Sequence, residues 1–231
     1  MAAEPPAETP PPPRPSRDAP EIEWQLAAGD LAVVHRWLGA GTPAAGLRME
    51  PLPPQTLRDT YLDTADWRVL RAGFALRVRQ EGAHTEATLK SLRSARTDRA
   101  ERREITEALA DGAATPERAQ GPVGSWLRRT LGRAVLRPLF IAHTHRERFA
   151  ARQGVPTGQL GEIALDETEL LDAAGRPLER LHRVEVELIE GSPEALLPLV
   201  EALCGACGLE PARENKFAAG LRAAALRPPR S

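Results

Sequence analysis

Residues 74–79, Phe-Ala-Leu-Arg-Val-Arg, alternate between apolar and charged positions, and this period of two recurs along most of the chain. A period of two is the pattern of a strand with one buried face. It predicts strands over 21–26, near 47–52, and over 56–63, 74–80, 84–91, 101–107, 138–151, 162–171 and 182–189, with Pro53-Pro54 as a turn between the second and third. Between them, 29–39 reads as a short amphipathic helix with Asp30 in its first turn. Residues 64–72 read as a turn with one helical turn, closed by Gly73. Helices are also predicted over 115–131, interrupted at 121–124, over 192–207 with Pro193 in its first turn, and over 212–225. The count is about eight mostly antiparallel strands with a few helices.

The charges on these strands fall in phase, and they sort by sign. The basic set is Arg77 and Arg79, Lys90, Arg102, Arg146 and Arg148, with Lys216 near the end. The acidic set is Glu21 and Glu23, Glu162 and Asp166, Glu185 and Glu187. Residues two apart on a strand share a face. Such faces are ordinarily solvated, but eight strands can also close into a barrel with a polar interior. Period alone does not choose between them.

Composition narrows the surroundings more than the chemistry. The chain has 231 residues, 42% hydrophobic and 27% charged, with a formal net charge of -1. That length suits one large domain or two small ones. The charge balance implies no global attraction to nucleic acid or an anionic membrane. No apolar run approaches the roughly 20 residues of a membrane span, and no signal-like amino terminus is visible, so a cytoplasmic location is the default. Residues 1–19 are rich in proline and poor in large apolar side chains, which predicts a disordered tail. A single domain is expected over 20–226, with 227–231 as a frayed end.

Other candidates carry less. Cys204 and Cys207 form a lone CxxC inside a helical run and read as incidental thiols. His143 and His145 alternate on a strand and read as structural. Trp24, Trp67 and Trp126 read as core. No nucleotide-binding glycine loop stands between a strand and a helix.

If the charged faces point inward, each set needs neutralising, because buried uncompensated charge is costly. Carboxylate clusters suit a hard divalent cation such as Mg²⁺ or Mn²⁺. Arginine and lysine clusters suit phosphate. A polyphosphate chain bridging the cations to a carboxylate-held ion satisfies both sets.

Glu21-Ile22-Glu23 resembles the start of the ExExK signature of the CYTH domain, the triphosphate tunnel metalloenzymes. The resemblance continues through YLDTADWRVLRAGFALRVRQEG, TLK, Arg102-Arg103-Glu104, EIALDE, VEVELIEG and the run from Glu214 to Gly220. It implies an α+β fold built on an eight-stranded antiparallel β-barrel that binds triphosphate and a divalent metal. Members hydrolyse inorganic or thiamine triphosphate, and some cyclise ATP. Many bacterial members carry a CHAD domain after the tunnel, and this sequence ends soon after Lys216. By position, Glu21, Glu23, Asp166, Glu185 and Glu187 resemble the metal ligands. Arg77, Arg79, Lys90, Arg102, Arg146, Arg148 and Lys216 resemble the phosphate ligands. Glu21, Glu23, Arg77, Arg79 and Lys90 are the residues expected to carry catalysis. One departure stands out: Gln25 occupies the signature lysine position. The expected function is metal-dependent hydrolysis of a triphosphate, inorganic first, thiamine or nucleoside next. The alternatives are a binding module with little turnover and a class IV-type adenylyl cyclase.

Overall fold

The computed structural model describes residues 17–40, 46–93, 99–109, 115–153 and 158–228. Eight strands close on themselves: β1 (Arg17–Ala27), β2 (Arg48–Asp63), β3 (Phe74–Glu81), β4 (His84–Ser91), β5 (Ala100–Ala108), β6 (Arg137–Gln153), β7 (Gly158–Asp172) and β8 (Pro177–Leu188). Their order is β5-β4-β3-β2-β6-β7-β8-β1, and β1 pairs back onto β5 to complete the barrel. Every pairing is antiparallel. A two-residue strand, β9 (Glu210–Pro211), adds to the end of β1. The fold is the expected α+β barrel.

The apolar phase of the strands faces outward, where helices cover it. Helices α1 (Leu31–Gly39) and α4 (Leu197–Cys207) pack Val34, Leu38, Leu199 and Leu203 against Trp24, Phe149, Ile163 and Val186. Helix α3 (Pro122–Leu131) packs Val123, Leu127 and Leu131 against Val78, Leu89 and Ile105. A third cluster differs in bordering the barrel interior through Tyr61 and Phe217: it gathers Tyr61, Trp67 and Phe140 with Phe217 and Leu221 of α5 (Lys216–Ala223). Tyr61 stacks on Phe140 with ring centroids 4.5 Å apart and meets Phe217 at 5.6 Å. With the apolar faces turned out to the helices, the charged phase is left inside.

Several local expectations need correcting. Pro53-Pro54 does not end a strand. β2 runs through it, with its pairing to β6 shifting register between Leu52 and Gln55. Proline cannot donate to a ladder, so a bulge is where a sheet tolerates it. Gly121 and Pro122 begin α3 rather than interrupt a longer helix, and 116–118 is a separate 3₁₀ turn. The Glu107 carboxylate of β5 accepts hydrogen bonds from the amides of Gly121 and, at 3.1 Å, Gly124, which satisfies that helix end. Residues 193–195 likewise form a 3₁₀ turn ahead of α4, and α5 starts at Lys216, capped by Asn215, rather than at 212. Asp30 is the cap of α1, accepting from Ala32, rather than a first-turn residue.

The turn that follows Tyr-Leu-Asp at the end of β2 has a clear local cause. Asp63 accepts from the amides of Val69 and Leu70 at 3.0 and 2.9 Å, so it starts the four-residue α2 (Arg68–Arg71). The expected disordered tail falls mostly on residues 1–16, outside the described residues, and β1 already begins at Arg17. The expected frayed end likewise lies largely outside them. No helix among the described residues is long and apolar enough to cross a membrane.

Candidate active site inside the barrel

The inward phase of the strands surrounds a cavity of about 370 Å³. Ten of the twelve residues expected at the site line it. Glu21 and Glu23 come from β1, Arg77 and Arg79 from β3, Lys90 from β4 and Arg102 from β5. Arg146 comes from β6, Glu185 and Glu187 from β8, and Lys216 from the first turn of α5. Closure explains the convergence, because each pair two apart on its own strand meets the others across the lumen.

On the acidic side, Glu23 of β1 stands directly opposite Glu187 of β8, which stands opposite Glu162 of β7. Like charges in register destabilise a sheet. Burial first, then Glu23 and Glu162, pushes the Glu187 carboxyl above its ordinary range. Among the described residues Glu187 makes no hydrogen bond or ion pair. Glu21 is also pushed well up, mainly by burial, with Glu23 and Glu104 adding to it and Lys90 opposing. Its partner Glu104 goes the other way, down to about 2, because Lys90 and Arg77 outweigh its burial.

Lys90, expected on the phosphate side, stands among carboxylates. Its ammonium contacts Glu21, lies 3.2 Å from Glu23 and 3.7 Å from Glu104. These three carboxylates hold its pKa well up against the effect of burial. Arg102 also leans to this side, 3.6 Å from Glu23. The Nε atoms of Arg77 and Arg102 are buried donors with no acceptor among the described residues. A buried donor left unpaired is costly, and an anion in the cavity would satisfy it.

Two expected residues do not line the cavity. Asp166 is fully buried behind the cations, its oxygens accepting from Arg146 Nε and Nη2 at 2.6 and 2.7 Å and from Lys216 Nζ at 2.9 Å. Expected on the metal side, it instead serves as the counter-ion of Arg146 and Lys216, with both oxygens occupied. Arg148 shares the inward phase but reaches Glu162 at 3.4 Å and the Pro53 carbonyl at 3.3 Å, made available by the bulge.

The donor set fits a hard divalent ion in kind. Glu21, Glu23, Glu185 and Glu187 offer carboxylate oxygens on two adjacent strands, and the in-register row of Glu23, Glu187 and Glu162 concentrates negative charge that a cation would relieve. No three acidic or histidine ligands among the described residues converge on one point, since Glu21 and Glu23 turn to Lys90 and Glu185 accepts from Arg146 at 2.6 Å. An ion therefore has to compete with these cations for its ligands.

Gln25, at the signature lysine position, lines the cavity and donates through Nε2 to Glu23 Oε1 at 2.8 Å. It keeps the donor and lacks the charge. The period-two reading did not single out Asp59, Glu86 or Asn215, or give Glu104 and Glu162 a role. Glu104 had a signal, standing two positions from Arg102 on one strand. His143 and His145 point outward and are exposed, away from the cavity. Cys204 and Cys207 are free, half-buried thiols on α4, raised by burial.

Among solved structures, a candidate adenylyl cyclase from Hippeastrum, described by its dominant triphosphatase activity, superposes with a TM-score of 0.62 at 19% identity, covering 87% of this chain and 95% of that one. A candidate adenylate cyclase from Bacillus halodurans gives 0.58 at 18%, covering 86% and 96%. The PH1819 protein of Pyrococcus horikoshii gives 0.55 at 17%, covering 87% and 98%. At these identities the likeness is one of fold. The CYTH domain matches residues 38–220, a span that leaves out β1 and includes every other barrel strand. By that match, this chain belongs to the CYTH domain family.

Proposed function

We propose that this protein hydrolyses a triphosphate with a divalent metal ion, inorganic triphosphate first, thiamine or nucleoside triphosphate next. The observation that carries the reading is one cavity inside the barrel that gathers six cations and an in-register row of carboxylates. CYTH proteins bind triphosphate-containing small molecules, and the triphosphatase activity named for the Hippeastrum relative supports the same class.

Arg77, Arg79, Arg102 and Arg146 grip the non-bridging oxygens, where a guanidinium can bond two at once. Lys90 and Lys216 offset the charge that develops on the leaving phosphate. Glu21, Glu23, Glu185 and Glu187 would hold Mg²⁺ or Mn²⁺, which supplies an oriented water and further charge neutralisation when bound. An incoming triphosphate draws Lys90 away from Glu21 and Glu23 and so frees two ligands.

Purified protein should release phosphate from inorganic triphosphate when Mg²⁺ or Mn²⁺ is present and stop when the metal is chelated. Glu187→Ala should lower the rate at least about a hundredfold. That variant removes no hydrogen bond or ion pair among the described residues, so a folding defect is not the cause. Arg102→Ala should do likewise. Wild-type rates in both variants would refute the reading. Gln25 favours the second reading, binding with little turnover, because the lumen has one charge fewer than the signature supplies. Tight triphosphate binding without phosphate release is its signature, and cyclic AMP made from ATP would point to a cyclase.

A further inference from the structure

Asp59 lies behind the lining of the cavity and has no part in the chemistry above. It sits on β2 directly opposite Arg79 of β3 and is completely buried. Arg79 Nε donates to its Oδ1 at 2.7 Å and Nη2 to its Oδ2 at 2.8 Å, and Arg77 Nη1 lies 3.8 Å from Oδ2. Across its other strand neighbour Arg79 faces a second carboxylate in register, Glu86 of β4. Arg79 therefore stands between two carboxylates and forks onto one. The fork occupies the Nε edge of the guanidinium and fixes its plane, leaving the Nη1 edge for a ligand. A side chain with this much rotamer freedom would otherwise lose it only on binding.

We propose that Asp59 is a positioning residue: it holds Arg79, and by its own longer contact Arg77, with the open guanidinium edge toward the cavity, and keeps Arg79 from swinging to Glu86. This rests on the reading that the cavity binds triphosphate. Both arginines keep their charge whatever stands at position 59, so Asp59 acts on their direction. Burial alone would drive the Asp59 carboxyl up; Arg79 and Arg77 overcome it and hold it far below its ordinary range. The pair is thus permanently ionised at neutral pH.

The test is the Kd of inorganic triphosphate by calorimetry at fixed Mg²⁺, with the wild type measured first. Asp59→Asn keeps the shape and removes one acceptor and the charge, and should weaken binding about tenfold. Asp59→Asn combined with Glu86→Gln should recover most of that loss, because the competing carboxylate is gone. A purely structural role would lower the melting temperature and leave the Kd of the folded protein unchanged. That result overturns the proposal, as does a double variant no tighter than the single one. Should Asp59→Asn not fold, nitrogen-15 spectra of the wild type decide: Arg79 Nε–H should exchange slowly with and without triphosphate, and fast exchange overturns the fork. A wild type that binds no triphosphate refutes the reading of the cavity itself and this proposal with it, and its place at the start of the series tells the two failures apart.

Discussion

Gln25 stands opposite Glu185 across the β1–β8 pairing and gives its amide to Glu23. A lysine there would put an ammonium between two carboxylates and beside a bound anion. Gln25→Lys should tighten inorganic triphosphate about tenfold, since a charge-assisted contact is roughly twice as strong as a neutral one. An unchanged calorimetric Kd would make the position peripheral. Single residues of this kind divide sharply by how readable they were. Arg77 and Arg79 announce themselves because their own strand alternates charge with apolar positions. Asp59 does not, since Leu57 and Tyr61 share its phase and its partner lies 20 residues away on another strand. Asp166 was readable as inward but not as the partner of Arg146 and Lys216, because period says which face a carboxylate takes and not which cation reaches it first.

Helix α5 bears on the cavity more than its eight residues suggest. It brings Lys216 to the lumen, and its Gly220 lies flat on Phe140. A Cβ at position 220 would stand 2.0 Å from the Phe140 ring, whose side chain is fully buried. Gly220→Ala should therefore destabilise the protein by about 2 kcal/mol, the usual cost of overpacking, and weaken triphosphate binding as Lys216 moves with the helix. Denaturant unfolding and calorimetry read the two effects, and a wild-type midpoint would show that the helix yields freely. Strand positions were legible because alternation is strong in β3, β4 and β8. The continuity of β2 was not, because two prolines look like a turn until a partner strand is there to absorb the bulge. The start of α5 was missed for a similar reason, since the Ala212 amide donates to the Gln25 carbonyl of β1 and Asn215 caps the helix only at Lys216.

At the scale of the whole barrel the charges set a pH dependence of two opposite signs. Glu21 and Glu187 are raised, so the folded state holds their protons more tightly than the unfolded chain, and folding gains as pH falls toward the ordinary carboxyl range. Asp59, Asp166 and Glu104 are lowered, so the stability they contribute is present above that range and is lost as pH falls through it toward about 2. The metal-free protein should be most stable at about pH 5, with the melting temperature falling on either side. Glu21→Gln should flatten the neutral-side slope, and an unchanged slope would exclude Glu21 as its source. The closing seam has a consequence in time. β1 is made first, yet its partners are β5 and β8, the latter some 160 residues further along the chain. Pairings so distant in sequence form slowly, because loop closure is costly before the contacts repay it. Glu21 and Glu23 therefore wait in water while the strands bearing Arg77, Arg79 and Arg146 are being synthesised. Only when the first strand slots between the fifth and the eighth do Glu21 and Glu23 meet Lys90 and Arg102, so the lining of the lumen is completed at the moment the circle shuts.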